Sequence, residues 1–199
     1  MPGPKGRSAT EPRKPVVLQD WLWSDDGFKP VSRGALVGWG SCYVLFLLYA
    51  AANTSGFLFL DHANLMIHEA GHMFFSWGGY YTTILGGTLA QVIAPILCAL
   101  IFVRRGETVA IAFCAFWGFE NLLYIATYMG DARTAALPLV GADESDWAIL
   151  LSHWGVLHID RTMAAWTRGL GWLGMLATMG WLAWMHVNGV ARRAPLPLS

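Results

Sequence analysis

Five residues, His68-Glu69-Ala70-Gly71-His72, form an H-E-x-x-H pattern within a strongly apolar chain. On an α-helix, positions four apart differ by about 40° around the axis, so both imidazoles project from one face and can close on one metal ion. Glu69 falls on the adjacent face, beside the metal rather than on it, where it can take a proton from an attacking water. The plain structural reading of the same residues is two packing histidines around a buried glutamate. Such a trio is costly in an apolar setting unless something binds it.

A catalytic zinc takes three protein ligands and keeps one position open. The candidates for the third are Asp131, Asp146, Asp143, Glu120, His153 and His158. Glu120 lies in the middle of an apolar run, where an ionisable residue is either functional or a polar contact between helices. His153 and His158 are five residues apart, about 140° around a helix, and do not share a face; they read as interfacial histidines beside Trp154. Asp146, ahead of Trp147-Ala148-Ile149-Leu150, also suits an ordinary helix cap.

The elements that must position these groups are membrane helices. The 199 residues are 55% hydrophobic and 13% charged, with a mean hydropathy of +0.44, which excludes an ordinary soluble domain. With zero formal net charge and no basic stripe, nucleic acid is excluded as a partner. Cys42, Cys98 and Cys114 all sit in apolar runs without a C-x-x-C and read as packing residues.

Residues 1–33 read as a flexible Pro- and Lys/Arg-rich tail, with Trp21 and Trp23 at a membrane surface. Residues 34–191 form one membrane domain and 192–199 a short second tail. A first span is expected at Leu36–Ala52 and the motif helix at Asp61–Trp77. On the motif helix Asp61 serves as a cap, and Asp61, Asn64, His68 and His72 make one polar stripe. Gly78 to Thr83 should break the helix, with Tyr80 to Ile84 extended. Apolar runs follow at Leu85–Val103 and Thr108–Met129. A more polar loop from Gly130 to Arg161 carries one short helix from Asp146, and a last span runs from Gly169 to Val187. The fold class is all-α and polytopic, with four full spans plus a partly inserted motif helix, or five full spans. Arg/Lys clusters on the tail, at Arg104-Arg105 and at Arg192-Arg193 place the N-terminus in the cytoplasm.

The H-E-x-x-H helix, the glycine break after it and Gly86-Gly87-Thr88-Leu89-Ala90-Gln91 opening the next helix together resemble the site-2 protease family of intramembrane zinc metalloproteases. Asn121-Leu122-Leu123-Tyr124-Ile125 followed by Gly130-Asp131-Ala132-Arg133 is similar to that family's later Asn and Asp-Gly element. Thr88, Gln91 and Ala132 depart from its usual Pro, Asn and Gly. The likeness covers about residues 60 to 160. It implies Zn2+ as cofactor, with His68, His72 and an aspartate as ligands. Asp131 ranks ahead of Asp146, which resembles a ligand of a more remote branch. It also implies Glu69 as general base, Asn121 and Gln91 as donors to substrate backbone or oxyanion, with Glu120 a further substrate-side candidate, and the Tyr80 to Ile84 segment as a strand that pairs with substrate. The implied partners are a membrane-embedded protein or peptide substrate and the lipid bilayer, in a bacterial inner membrane.

Two other classes compete. A membrane di-iron hydroxylase would read His68-x-x-x-His72 as one histidine box, but such sites use adjacent His-His pairs, which the six histidines here do not form. A non-catalytic zinc scaffold would close its site with four protein ligands and have no use for Glu69.

Overall fold

The computed structural model describes residues 27–139 and 144–191. Trp21 and Trp23, Asp143 and Arg192-Arg193 lie outside the described residues. Six α-helices follow in order: α1 Arg33–Ala52, α2 Asp61–Phe74, α3 Tyr80–Arg104, α4 Thr108–Gly130, α5 Asp146–His153 and α6 Asp160–Ala191. Single 3-10 turns, Ser76–Gly78 and Leu157–Ile159, lead into α3 and α6, and no strand occurs among the described residues. Helices α1, α3 and α4 are long and apolar enough to cross a membrane. The apolar side chains of α1 and α3 remain largely uncovered, as with Leu45 and Leu97, which is compatible with a membrane protein, while α4 is half buried among its neighbours. The segment expected as a last span, Gly169–Val187, falls within the 32-residue α6, which is not among those three helices.

The corner between α2 and α3 differs from the expected extended segment. Gly79, at φ 89°, takes the chain through a conformation that strains any other residue and lets a new helix start at once. The Thr83 N–H and hydroxyl both bond back to the Gly79 carbonyl, so Tyr80 to Ile84 form the first turns of α3. The apolar run behind them propagates as helix, and that cooperativity overrides their local β preference. Nor does Asp61 cap α2. Its carboxylate accepts the Leu58 N–H at 2.6 Å and ties down the preceding loop.

Helix α2 lies against α3 through residues without bulk. A methyl group at Gly71 would strike the Gly86 carbonyl oxygen and come within 2.6 Å of Ala90 Cβ, and one at Gly86 would come within 2.7 Å of Phe75 Cβ. On the other side of the molecule α4 packs along α6, where Phe119 fills the space left by Gly174 and its carbonyl oxygen approaches Gly171. Tyr43 of α1 stacks on Phe116 of α4, with ring centroids 4.3 Å apart.

The two ends of this assembly are tied differently. At one end the Lys29 N–H bonds to the Gly106 carbonyl between α3 and α4, Lys29 pairs with Glu107, and His186 Nδ1 of α6 donates to the Val31 carbonyl at 2.7 Å. At the other, Arg133 donates from Nε (2.8 Å) and Nη2 (2.6 Å) to Asp160 Oδ1, anchoring the loop after α4 to the start of α6.

Gly71→Ala should lower the midpoint of thermal unfolding in detergent, because overpacking against backbone costs about 1–3 kcal/mol. Gly40→Ala and Gly180→Ala, with nothing within 4 Å, should leave it unchanged or raise it slightly. The Arg133 hydrogen bonds hold the Asp160 carboxyl below its usual pKa, against the opposing pull of burial. The stability this contributes is fully present above the ordinary carboxylate value of about 4 and is lost as pH falls through the lowered one. Acid unfolding of the wild type below about pH 4 should therefore be steeper than that of Asp160→Asn, as followed by circular dichroism.

Candidate metal centre

Helical spacing puts His68 and His72 on one face of α2, with ring centroids 4.6 Å apart. Each ring is fixed by α3. His68 Nδ1 donates to Gln91 Oε1 at 2.9 Å, and His72 Nδ1 donates to the Thr83 carbonyl at 2.8 Å. Thr83, Gly87 and Gln91 are four residues apart on α3 and so present one row to α2. Between the two acceptors lies Gly87, where a methyl group would come within 2.6 Å of the His68 ring. The ring occupies the space that a side chain would need.

With both Nδ1–H groups committed, the Nε2 atoms point the other way, and there they meet Asp146. One carboxylate oxygen, Oδ2, lies 2.8 Å from His68 Nε2 and 3.1 Å from His72 Nε2. Asp146 is the first residue of α5 and makes no cap there. Burial works to raise its pKa, and the hydrogen bonds from His68 and His72 outweigh that and hold it below the ordinary value. Two imidazole nitrogens and one carboxylate oxygen thus converge at distances that suit an imidazolium–carboxylate bridge and equally a set of ligands about one cation. Zinc bonds of 2.0–2.2 Å would separate such ligands by roughly 3.3 Å, and two imidazoles with one carboxylate are a zinc donor set. The residues therefore fit the metal. The ligand atoms of His68, Glu69 and His72 lie within 4.8 Å of one another, and among the described residues Glu69 makes no hydrogen bond.

The other expected site residues lie elsewhere. Asp131, ranked first as third ligand, accepts the Thr134 hydroxyl and the Ala136 and Leu137 N–H groups. Burial opposes ionisation of Asp131, and these three bonds outweigh it and lower its pKa. Its oxygens are used in a turn, and the carboxylate that meets the two imidazoles is that of Asp146. Gln91 spends its carbonyl oxygen on His68 rather than on substrate. Asn121 donates to the Gln91 carbonyl at 3.1 Å and so supports α3 from α4. Glu120 faces α2 one turn before His68, where Oε2 accepts from Asn64 Nδ2 at 2.9 Å. His153 stacks on Tyr81 at 3.6 Å, and His158 is exposed in the turn before α6.

The site opens into a cavity of about 240 Å³ whose walls include Leu65, Ile84, Tyr124, Ile125 and Trp147. Sequence reasoning did not find Tyr124 or the Thr83 carbonyl. Tyr124 lies on α4 four residues after Glu120, a spacing that could have marked it, whereas a backbone carbonyl leaves no mark in a sequence. In comparisons with known proteins, the chain matches no family model, no curated protein and no solved structure.

Elemental mass spectrometry on the purified protein should find about one zinc ion per chain. It should be lost in His72→Ala and Asp146→Ala and kept in Asp131→Ala. Gly87→Ala, which crowds the His68 ring, should weaken zinc binding by about 10–100-fold, in line with changes that disturb ligand orientation.

Proposed function

We propose that this chain is an intramembrane zinc metallopeptidase, an enzyme that hydrolyses peptide bonds of membrane-embedded proteins or peptides. The observation that carries the reading is Asp146 Oδ2 set against the Nε2 atoms of both motif histidines while Glu69 beside them stays free. His68, His72 and Asp146 would hold the ion, and Gln91 and Thr83 would keep the two imidazoles in the ligating tautomer. Zinc, when bound, supplies a Lewis acid that polarises a carbonyl and acidifies water. The Glu69 carboxylate takes one proton from the attacking water as its oxygen bonds to the scissile carbon. It returns that proton to the amide nitrogen as the C–N bond breaks. Leu65, Ile84, Ile125 and Trp147 give the cavity apolar walls suited to the side chains of a membrane segment and poor in water.

The reading extends to topology. A 14-residue helix is about 21 Å long, short of the roughly 30 Å hydrocarbon core, so α2 enters the membrane without crossing it. Helices α1, α3, α4 and the Gly169–Val187 part of α6 then give four spans. This order puts the start of α1, the α3–α4 turn and the end of α6 on one side, in keeping with the hydrogen bonds that join Lys29 to Gly106 and Val31 to His186. That side carries the Arg/Lys clusters and is the cytoplasm, here of a bacterial inner membrane.

The di-iron reading finds no support in the geometry. His62 packs on Phe57, His153 on Tyr81, His186 bonds to Val31 and His158 is exposed in the turn before α6, which leaves two histidines at the centre. A closed structural zinc site would recruit Glu69 as fourth ligand, and one variant separates the two cases. In a cleavage assay on a reconstituted single-span substrate, Glu69→Gln should lose about 10²–10⁴-fold in rate while it retains zinc. Loss of the metal in that variant would establish the structural site, and unimpaired cleavage would remove Glu69 from the mechanism.

A further inference from the structure

A second buried polar group lies one turn ahead of the histidines and takes no part in the proposed chemistry. Asp61 and Asn64 of α2 and Glu120 of α4 are each no more than 1% exposed. Trp117 Nε1, which can only donate, bonds to Asn64 Oδ1 at 2.8 Å. That contact fixes the amide orientation and turns Nδ2 toward both carboxyl groups, 3.1 Å from Asp61 Oδ1 and 2.9 Å from Glu120 Oε2. One amide nitrogen thus lies within hydrogen-bond reach of both carboxyl groups. Glu120 Oε1 is buried and meets no described N–H or O–H donor, and neither carboxyl has a salt bridge among the described residues.

Two ionised carboxylates are acceptors only and cannot hydrogen-bond to each other. Two buried negative charges on one amide group, with no salt bridge among the described residues, would repel each other, so one of the two carboxyl groups is held protonated in preference to both being ionised. The Asn64 amide hydrogens that face the same space disfavour a metal cation. We infer that Asp61 and Glu120 form a proton-binding site, an acid–carboxylate pair that shares one exchangeable proton and holds α2 against α4.

Access to this site is separate from that of the metal centre. Asp61 borders a cavity of about 200 Å³ whose walls include Asn53, Thr54, Thr127 and Arg168, polar enough to admit water. The charged and titratable groups around the pair are few. His62 is the next residue on α2 and meets Phe57 edge to face, Tyr124 and Tyr128 are on the same helix as Glu120, and Arg168 of α6 bonds to Thr127 Oγ1 at 3.3 Å beside the cavity. Asn64 precedes His68 by four residues on the same stripe, so the occupied pair sets the seating of the helix that carries the histidines.

The test is infrared difference spectroscopy of the full-length protein in detergent at neutral pH, in water and in deuterium oxide. The wild type should show one protonated, deuterium-sensitive carboxyl band. Both Glu120→Gln and Asp61→Asn should lose it, because a neutral amide then donates to the remaining carboxylate. Glu120→Gln imitates the protonated partner and should fold with its zinc in place, as circular dichroism and metal analysis would show. Absence of the band in the wild type overturns the proposal whatever the variants do, as does its persistence in both. Stabilisation of the wild type, but not of Glu120→Gln, by Na⁺ or Ca²⁺ would replace the proton with a metal cation and overturn it equally.

Discussion

The close approach of α2 to α3 is the constraint from which the rest of this structure follows. Gly71 stands in the H-E-x-x-H motif as one of its two unspecified positions, yet it faces the Gly86 carbonyl oxygen so closely that no side chain fits. Because the backbones come this near, the imidazoles reach past the surface of α2 to acceptors on α3, one of them a main-chain carbonyl. A wider separation would leave both Nδ1 atoms without partners and both rings free to turn. The Gly79 corner serves the same end, since a longer connection would loosen the row formed by Thr83, Gly87 and Gln91.

A second constraint comes from the far side of the site. Asp146 arrives on α5 after a long connection, so its position depends on how that connection is held. The Arg133 pair with Asp160 fixes the loop's two flanks, and the turn capped by Asp131 directs the chain as it leaves α4. Trp147 and Leu151 of α5 then bury themselves against Ile125, Ala126 and Met129 of α4. A charged residue at the first position of a short helix is thereby carried to the histidines by its apolar neighbours. Hydrophobic burial supplies the driving force and the hydrogen bonds select the geometry.

The helices were legible in the sequence because apolar runs and their charged ends are local signals. So was the histidine pair, since helical periodicity alone puts positions 68 and 72 together. The third member of the cluster was not: the sequence ranks Asp131 ahead of Asp146, whereas which aspartate reaches the histidines rests on loop packing that no local pattern encodes. Tyr80 to Ile84 failed for a related reason. Their aromatic and β-branched content favours a strand, but the turn at Gly79 and the apolar run beyond them belong to a helix. Glu120 was recognised as anomalous within its apolar run, while its partners became identifiable only when Asn64 and Trp117 were seen to face it.

The stripe of Asp61, Asn64, His68 and His72 explains why α2 is short and enclosed. A helix with that face would be costly to leave in lipid, and each polar residue on it has a partner on another helix or, for Asp61, also in the preceding loop. Those partners differ in kind along its length. At its start two carboxyl groups bond to one amide, whereas at its end two imidazoles and a carboxylate converge. Two turns of one helix thus lead from an amide bonded to both carboxyl groups to a pair of imidazoles facing a carboxylate. A single helix can hold both because Trp117 fixes the orientation of Asn64 while Gln91 and Thr83 fix the rings.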